Sequence, residues 1–284
     1  MKLLCLIVAG LCAALPACAD TVLIGRYIWQ DPRPDFGGIS ALHLDASGTN
    51  FIALSDSGWS VTGTLTRDAG LITGVDAGAV IPLQNLVGKP IRKKAADSEG
   101  IAVAADGTVF IAFEGNTRVR RFDRLDGPAS DIPIPGDFRG LAENASLEAL
   151  AIDAAGALYA IPERSGRSSW PFPVFRYQNG IWDTAFDIPR VGPFLVVGAD
   201  IGPDGKIYVL ERDFIGFGFR TRVRRFALDG TGEEVLLQTR TGVHDNLEGI
   251  TLWDDGTGLR ITLVSDNNFR RFQTTEFVEY RITD

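Results

Sequence analysis

The sequence predicts an all-β fold: a single propeller of four-stranded blades, five blades favoured and six the alternative. Three observations predict it. A hairpin unit recurs with lead positions at Ser40, Glu99, Glu148, Val197 and Glu248, which are 59, 49, 49 and 51 residues apart, and a glycine follows each lead by eight residues. A period near 50 made of hairpins is the mark of a propeller blade. The first strand of each unit alternates small with large residues, as in Gly100-Ile101-Ala102-Val103, where a sheet with one wet face would alternate polar with apolar. Connections at the glycine end are tight turns, whereas those at the other end are long. Long loops gathered on one end of a rigid scaffold are where function usually resides.

The elements follow in order. Residues 1–19 read as a secretory signal: Lys2 precedes an apolar run from Leu3 to Leu15, and Ala17-Cys18-Ala19 forms a cleavage site before Asp20. Leu15-Pro16-Ala17-Cys18 leaves a lipid anchor at Cys18 as the alternative. The expected location is periplasmic or secreted, with the propeller domain over residues 20–284. Cys5, Cys12 and Cys18 all lie in the leader, so a chain cut after Ala19 has no disulfide, thiolate ligand or cysteine nucleophile. No later stretch reaches 18 uninterrupted apolar residues, so no transmembrane segment is expected.

Thr21–Trp29 is a strand with no hairpin partner beside it. The first unit runs from Gly38 to Asp56, followed by strands Val61–Thr66 and Leu71–Ile81. The second is the clearest: Glu99 leads, Asp106-Gly107 turns, Val109–Phe113 returns and Glu114 closes. Asp-Gly between alternating apolar runs is a strong hairpin signal. The hairpin brings Glu99 and Glu114 together at the end away from the turn. Arg118–Phe122 and Ile132–Ile134 complete that unit. The third runs from Glu148 to Glu163, then Val174–Tyr177 and Ile181–Ile188. The fourth has Val197 in the lead and Glu211 at the close, then Arg222–Leu228 and Glu234–Thr239. The fifth, Glu248 to Asp266, adds only Thr275–Ile282, so Thr21–Trp29 is expected to supply its last strand and close the ring.

The formal net charge of −8 makes a non-specific nucleic-acid binder a poor reading. The carboxylates instead gather in the pattern. Glu99, Glu148 and Glu248 share the lead position, Glu114, Glu163, Glu211, Asp266 and Asp56 close adjacent strands, and Asp97 and Asn246 stand two residues before their lead glutamates. Two uncompensated carboxylates about 6 Å apart repel by roughly 3 kcal/mol at an effective dielectric of 20. Such a ring protonates, pairs with Arg or Lys, or binds a cation. All-oxygen donors favour Ca²⁺ or Mg²⁺ over Zn²⁺. A second reading stays open, in which each glutamate caps backbone amides of the next blade. Arg92, Lys94, Arg164 and Arg270 lie in the long loops and are candidates for gripping a small anionic ester, against a default of solvated loop charge. His244, beside Asp245 and Asn246, is an acid–base candidate, while His43 reads as a core residue. Arg118, Arg120, Arg121, Arg222, Arg224 and Arg225 read as surface charge on third strands. No Gly-x-Ser-x-Gly elbow is present.

The phrases DSEGIAV, LEALAID, NLEGITL and LVSDNNF, with FEGN and VRRF, resemble the bacterial phytase-like family described as having esterase-like activity. The resemblance spans essentially the whole chain after the leader. It implies a distant link to calcium-dependent β-propeller phytases, whose acidic mouth holds calcium and substrate phosphate. The reading is an exported, metal-assisted ester hydrolase acting at an acidic funnel. A non-catalytic propeller that binds a ligand or protein at the same funnel is the alternative.

Overall fold

Each blade starts with a strand that carries one residue too many. In the computed structural model, which describes residues 20–34, 36–114, 116–133 and 147–283, the lead position of all five units is the extra residue of a β-bulge. The register jumps across Ser40, Glu99, Glu148, Val197 and Glu248. A bulge leaves its extra residue outside the ladder and re-aims the side chain. The lead carboxylates can therefore leave the blade plane.

Strand β1 is Asp20–Ile28. Blade one is β2 (Ile39–Leu44), β3 (Asn50–Ser55), β4 (Trp59–Asp68) and β5 (Leu71–Pro82). Blade two is β6 (Ser98–Val103), β7 (Val109–Phe113), β8 (Arg118–Phe122) and the two-residue β9 (Ser130–Asp131). Blade three is β10 (Leu147–Ile152), β11 (Leu158–Pro162), β12 (Phe172–Gln178) and β13 (Ile181–Ile188). Blade four is β14 (Leu195–Ile201), β15 (Ile207–Phe214), β16 (Phe219–Phe226) and β17 (Glu234–Gln238). Blade five is β18 (Asn246–Asp254), β19 (Leu259–Asp266) and β20 (Glu276–Thr283), completed by β1. Each sheet is an antiparallel four-stranded meander, and β1 pairs with β20 from Asp20↔Thr283 to Ile28↔Glu276. The fold is a five-bladed propeller, and the terminal strands close it as the sequence predicted. The signal segment 1–19, Cys18 and Ile134 lie outside the described residues.

Five hydrophobic clusters fill the five junctions between neighbouring blades. One joins Val197 and Leu210 to Ile250 and Leu263; another joins Leu54 and Leu83 to Ile111 and Phe113. The remaining three occupy the other junctions in the same way. Both faces of each blade are thus buried, which explains the small–large alternation.

The small parity lets the inner strands converge. The residue after the lead is Ala41, Gly100, Ala149, Gly198 or Gly249. A Cβ on Gly100 would lie 2.9 Å from the Leu150 nitrogen, and one on Gly249 would lie 2.9 Å from that of Leu42. Below the lead residues the axis narrows to a void of about 10 Å³, room for about one water. The funnel therefore has a floor. Side chains staple the inner strands further: the Leu252 amide donates to Asp200 at 2.7 Å and the Leu44 amide to Thr251 at 3.2 Å.

Candidate functional site

The floor of the funnel is made by the three bulged glutamates and its wall by the residues that close the second strands. The cleft, about 300 Å³, is lined by Glu99, Glu148 and Glu248 and by the closing residues Asp56, Glu114, Glu163, Arg212 and Asp266. Arg164 and Asn268 complete the lining. Seven of the eight carboxylates singled out in the sequence thus meet at one mouth. The hairpin geometry accounts for this, because the start of each inner strand lies beside the end of its partner.

The exception is Glu211, which does not reach the funnel. Register pairs Val196 with Glu211, just as it pairs Ser98 with Phe113 and Leu147 with Pro162. The closing residue of blade four is therefore the next one, Arg212. A one-residue offset in a strand points a side chain to the opposite face. Glu211 lies fully buried inside its blade, accepting from Arg222 Nε at 2.6 Å and from Arg224 Nη2 at 2.6 Å. This also corrects the reading of Arg222, Arg224 and Arg225 as surface charge, since all three are buried, as is Arg118. The signal for Arg212 was present in the spacing. It follows its lead by 15 residues, the interval that separates Glu99 from Glu114 and Glu148 from Glu163.

Arg212 is the cation of the funnel. Its Nη1 donates to Asn246 Oδ1 at 2.6 Å and to Glu248 Oε1, and its Nη2 stands 3.9 Å from Glu163. It thereby ties blade four to blades three and five. Burial works against its charge, but Glu248, Glu148 and Glu163 more than offset that and raise its pKa. Arg164 Nε pairs with Glu163 at 2.8 Å.

The remaining carboxylates crowd one another. Burial, then Glu148, Glu248, Asp97 and Asp56, push the Glu99 carboxyl well above the usual range. Burial, then Glu163, Glu114 and Glu248, do the same to Glu148, with Arg212 opposing. Glu248 is raised by burial, moderated by Arg212 and Asn246. Burial and nearby carboxylates raise Asp266 to about 8 and Asp56 to about 6. At one side of the mouth, Asp97, Glu99 and Glu114 each place an oxygen within 4.8 Å of the others. Calcium–oxygen distances of about 2.3–2.6 Å allow ligands of one ion to stand up to roughly 5 Å apart. The trio therefore fits a hard divalent cation, with Asp97, two residues before its lead glutamate, joining the pair that the hairpin brings together.

Other candidates lie elsewhere. His244 is buried and hydrogen-bonds Tyr280 Oη through Nε2 at 2.6 Å, so it is a packed residue of blade five and does not line the funnel. Arg92 lines a separate hollow of about 410 Å³ beside Arg118 and Arg120. Lys94 and Arg270 are exposed and line neither, and Arg270 sits 5.9 Å from the Phe272 ring. Of the predicted basic residues, only Arg164 reaches the cleft.

No curated protein matches the chain. Among solved structures it is similar to a gluconolactonase from Xanthomonas campestris (14% identity, 82% of this chain and 69% of the other, TM-score 0.45). It is also similar to the calcium-binding protein regucalcin from Agrobacterium tumefaciens (11% identity, 84% and 88%, TM-score 0.46). A third similarity is to a chain of a nidogen–laminin complex (17% identity, 77% and 70%, TM-score 0.46). The phytase-like family, described as esterase-like activity of phytase, matches residues 34–269, and the chain belongs to that family.

Proposed function

We propose that the acidic funnel is the active site of a metal-assisted hydrolase of small anionic esters, with a divalent cation, Ca²⁺ favoured, held by Asp97, Glu99 and Glu114. The observation that carries this reading is the split of the ring. Arg212 compensates the side of Glu163 and Glu248, while three carboxylate oxygens within 4.8 Å of one another face the other side. Converged carboxylates are costly unless they hold a proton or a cation. The family description, esterase-like, supports hydrolysis as the reaction class.

When bound, the ion supplies Lewis-acid polarisation of the ester oxygen. The chain's own residues do the rest. Arg212 and Arg164 present guanidinium N–H groups to the anionic part of the ester, a geometry suited to planar oxyanions. Glu148, its pKa raised by burial and by Glu163, is the group placed to deliver a proton to the leaving alcohol. Glu248 and Asn246 hold Arg212 in place. The low funnel floor confines water to the mouth.

Export is part of the proposal: cleavage after Ala19 would leave Asp20 as the first residue, which mass spectrometry of the secreted protein reads directly. The activity test is a screen on phosphate and carboxylate esters, with and without EDTA, followed by Ca²⁺ add-back. The expected result is turnover that EDTA abolishes and Ca²⁺ restores, with Glu99→Gln weakening the metal response while leaving the fold intact. Turnover indifferent to chelation removes the metal mechanism. Metal binding without turnover of any ester moves the protein to the binding-propeller reading.

A further inference from the structure

The brim of the funnel differs sharply from its interior. Among the described residues, the five exposed aromatics, Trp170, Phe214, Phe217, Phe269 and Phe272, stand on this one face, with Phe217 85% and Phe272 78% exposed. Val87, at 74%, stands on another loop of the same brim. These tips stand on four loops around the ring, with Phe214 and Phe217 sharing one and Phe269 and Phe272 another.

Charge follows the same pattern. Six of the brim loops, residues 83–96, 164–171, 189–194, 214–219, 239–244 and 267–275, together hold ten Lys or Arg and no Asp or Glu, in a chain whose net charge is −8. The loop between β1 and β2 is mixed, with Arg33 Nε donating to Asp31 at 2.7 Å and Asp35 following in sequence. Residues 134–146, outside the described residues, add Asp137, Arg139 and Glu143 in sequence. The carboxylates at the loop ends turn inward. Asp266 lines the funnel, Asp213 takes Arg220, and Asp245 receives the Thr274 amide at 2.8 Å. Cation and ring are paired locally as well, with Arg167 5.5 Å from the Trp170 ring and Arg270 5.9 Å from that of Phe272.

We propose that this brim is a docking surface for an anionic lipid bilayer, seating the funnel mouth against the membrane. Apolar tips spread over several loops, with cations on most of the same loops, match a fluid interface. The rings enter the headgroup region while Lys and Arg stems lie alongside and reach the phosphates. A preformed protein partner would instead call for a contiguous patch with a central pocket. The charge is complementary to anionic headgroups. No helix among the described residues is long and apolar enough to cross a membrane, so the contact is peripheral. The proposal rests on the brim alone and does not require the funnel to be catalytic; a Glu99→Gln variant is expected to dock unchanged.

The test is co-sedimentation of the full chain with vesicles of phosphatidylcholine alone, or containing about a third phosphatidylglycerol, at low and high salt. The expected result is pelleting with the anionic vesicles only, weakened by salt. Phe217→Ser/Phe272→Ser and Arg270→Gln/Arg271→Gln should each weaken it by roughly tenfold. All four residues are exposed, so melting temperatures should hold and a loss reports the surface. Absence of binding at low salt overturns the proposal. Pelleting that Phe217→Ser/Phe272→Ser leaves untouched overturns it too, as unspecific charge attraction. A dimer in solution that the same variant disperses would assign the brim to a second copy.

Discussion

Glu211 and Glu114 are both glutamates at the end of a second strand, yet one residue of register gives them opposite fates. Glu114 lines the open cleft beside Asp97 and Glu99; Glu211 is sealed between two guanidinium groups. Removing one partner of a buried ion pair leaves the other charge stranded, at about 3–5 kcal/mol. Glu211→Gln should therefore lose roughly that much in urea unfolding while leaving Ca²⁺ affinity unchanged. Glu114→Gln should do the reverse, lowering affinity measured by calorimetry with little change in the unfolding midpoint. Matching losses in both variants would merge the two roles. The carboxylate ring was legible in the sequence because type and spacing repeat together. Arg212 was not, because a cation stands where four blades place a carboxylate, and a search for acid passes over it. His244 misled for a related reason. Its neighbours in sequence point to the mouth, while its own ring packs against Tyr280.

At the level of the strand, the bulge and the small residue after it act as a pair. The bulge turns the glutamate out of the ladder, and the small residue lets the next inner strand close up behind it. Alanine suffices at positions 41 and 149, but Gly249 has no such room: a Cβ there would meet Val264 Cγ1 at 2.6 Å as well as the blade-one backbone. Gly249→Ala should cost about 1–3 kcal/mol through overpacking. Thermal unfolding measures it, and a stability loss below about 0.5 kcal/mol, the range of a surface change, would mean the inner strands have slack. The hairpins were readable because Asp-Gly turns and alternation carry local information. The bulges were not, since an extra residue leaves no mark in composition and shows only when partner strands are counted against each other. Blade two's outer strand shrinks to two residues for a similar reason: Ile132 and Pro133 continue the apolar pattern, but the ladder stops at Asp131.

For the whole molecule, the crowded funnel predicts an unusual pH response. Asp56 and Asp266 in the funnel have folded pKa values of about 6 and 8, and Asp200, buried on the inner strand β14 outside it, about 7, against 3.8 for the free side chain. A raised carboxyl pKa means the folded state holds its proton longer. That stabilisation is present at low pH and is lost as pH rises through the folded values. His43 and His244, both lowered by burial from 6.5 to about 4, act oppositely between those two values. Above pH 6.5 the raised carboxylates stand alone among these groups. The melting temperature in EDTA should therefore fall between pH 6.5 and 8, and Ca²⁺ should flatten the fall if the funnel holds it. A flat profile in EDTA would show that the carboxylates are already compensated.

The seam between β1 and β20 has one more consequence, for the order in which the protein is made. Asp20 pairs with Thr283, so β1 finds its partner only after the strands of all five blades have been made. Four blades can form as hairpin meanders while synthesis continues, but the ring stays open throughout that time. Contacts of such long sequence separation are slow to form. For this chain, the act that completes the fold is the meeting of β1 with β20, across a separation of 263 residues.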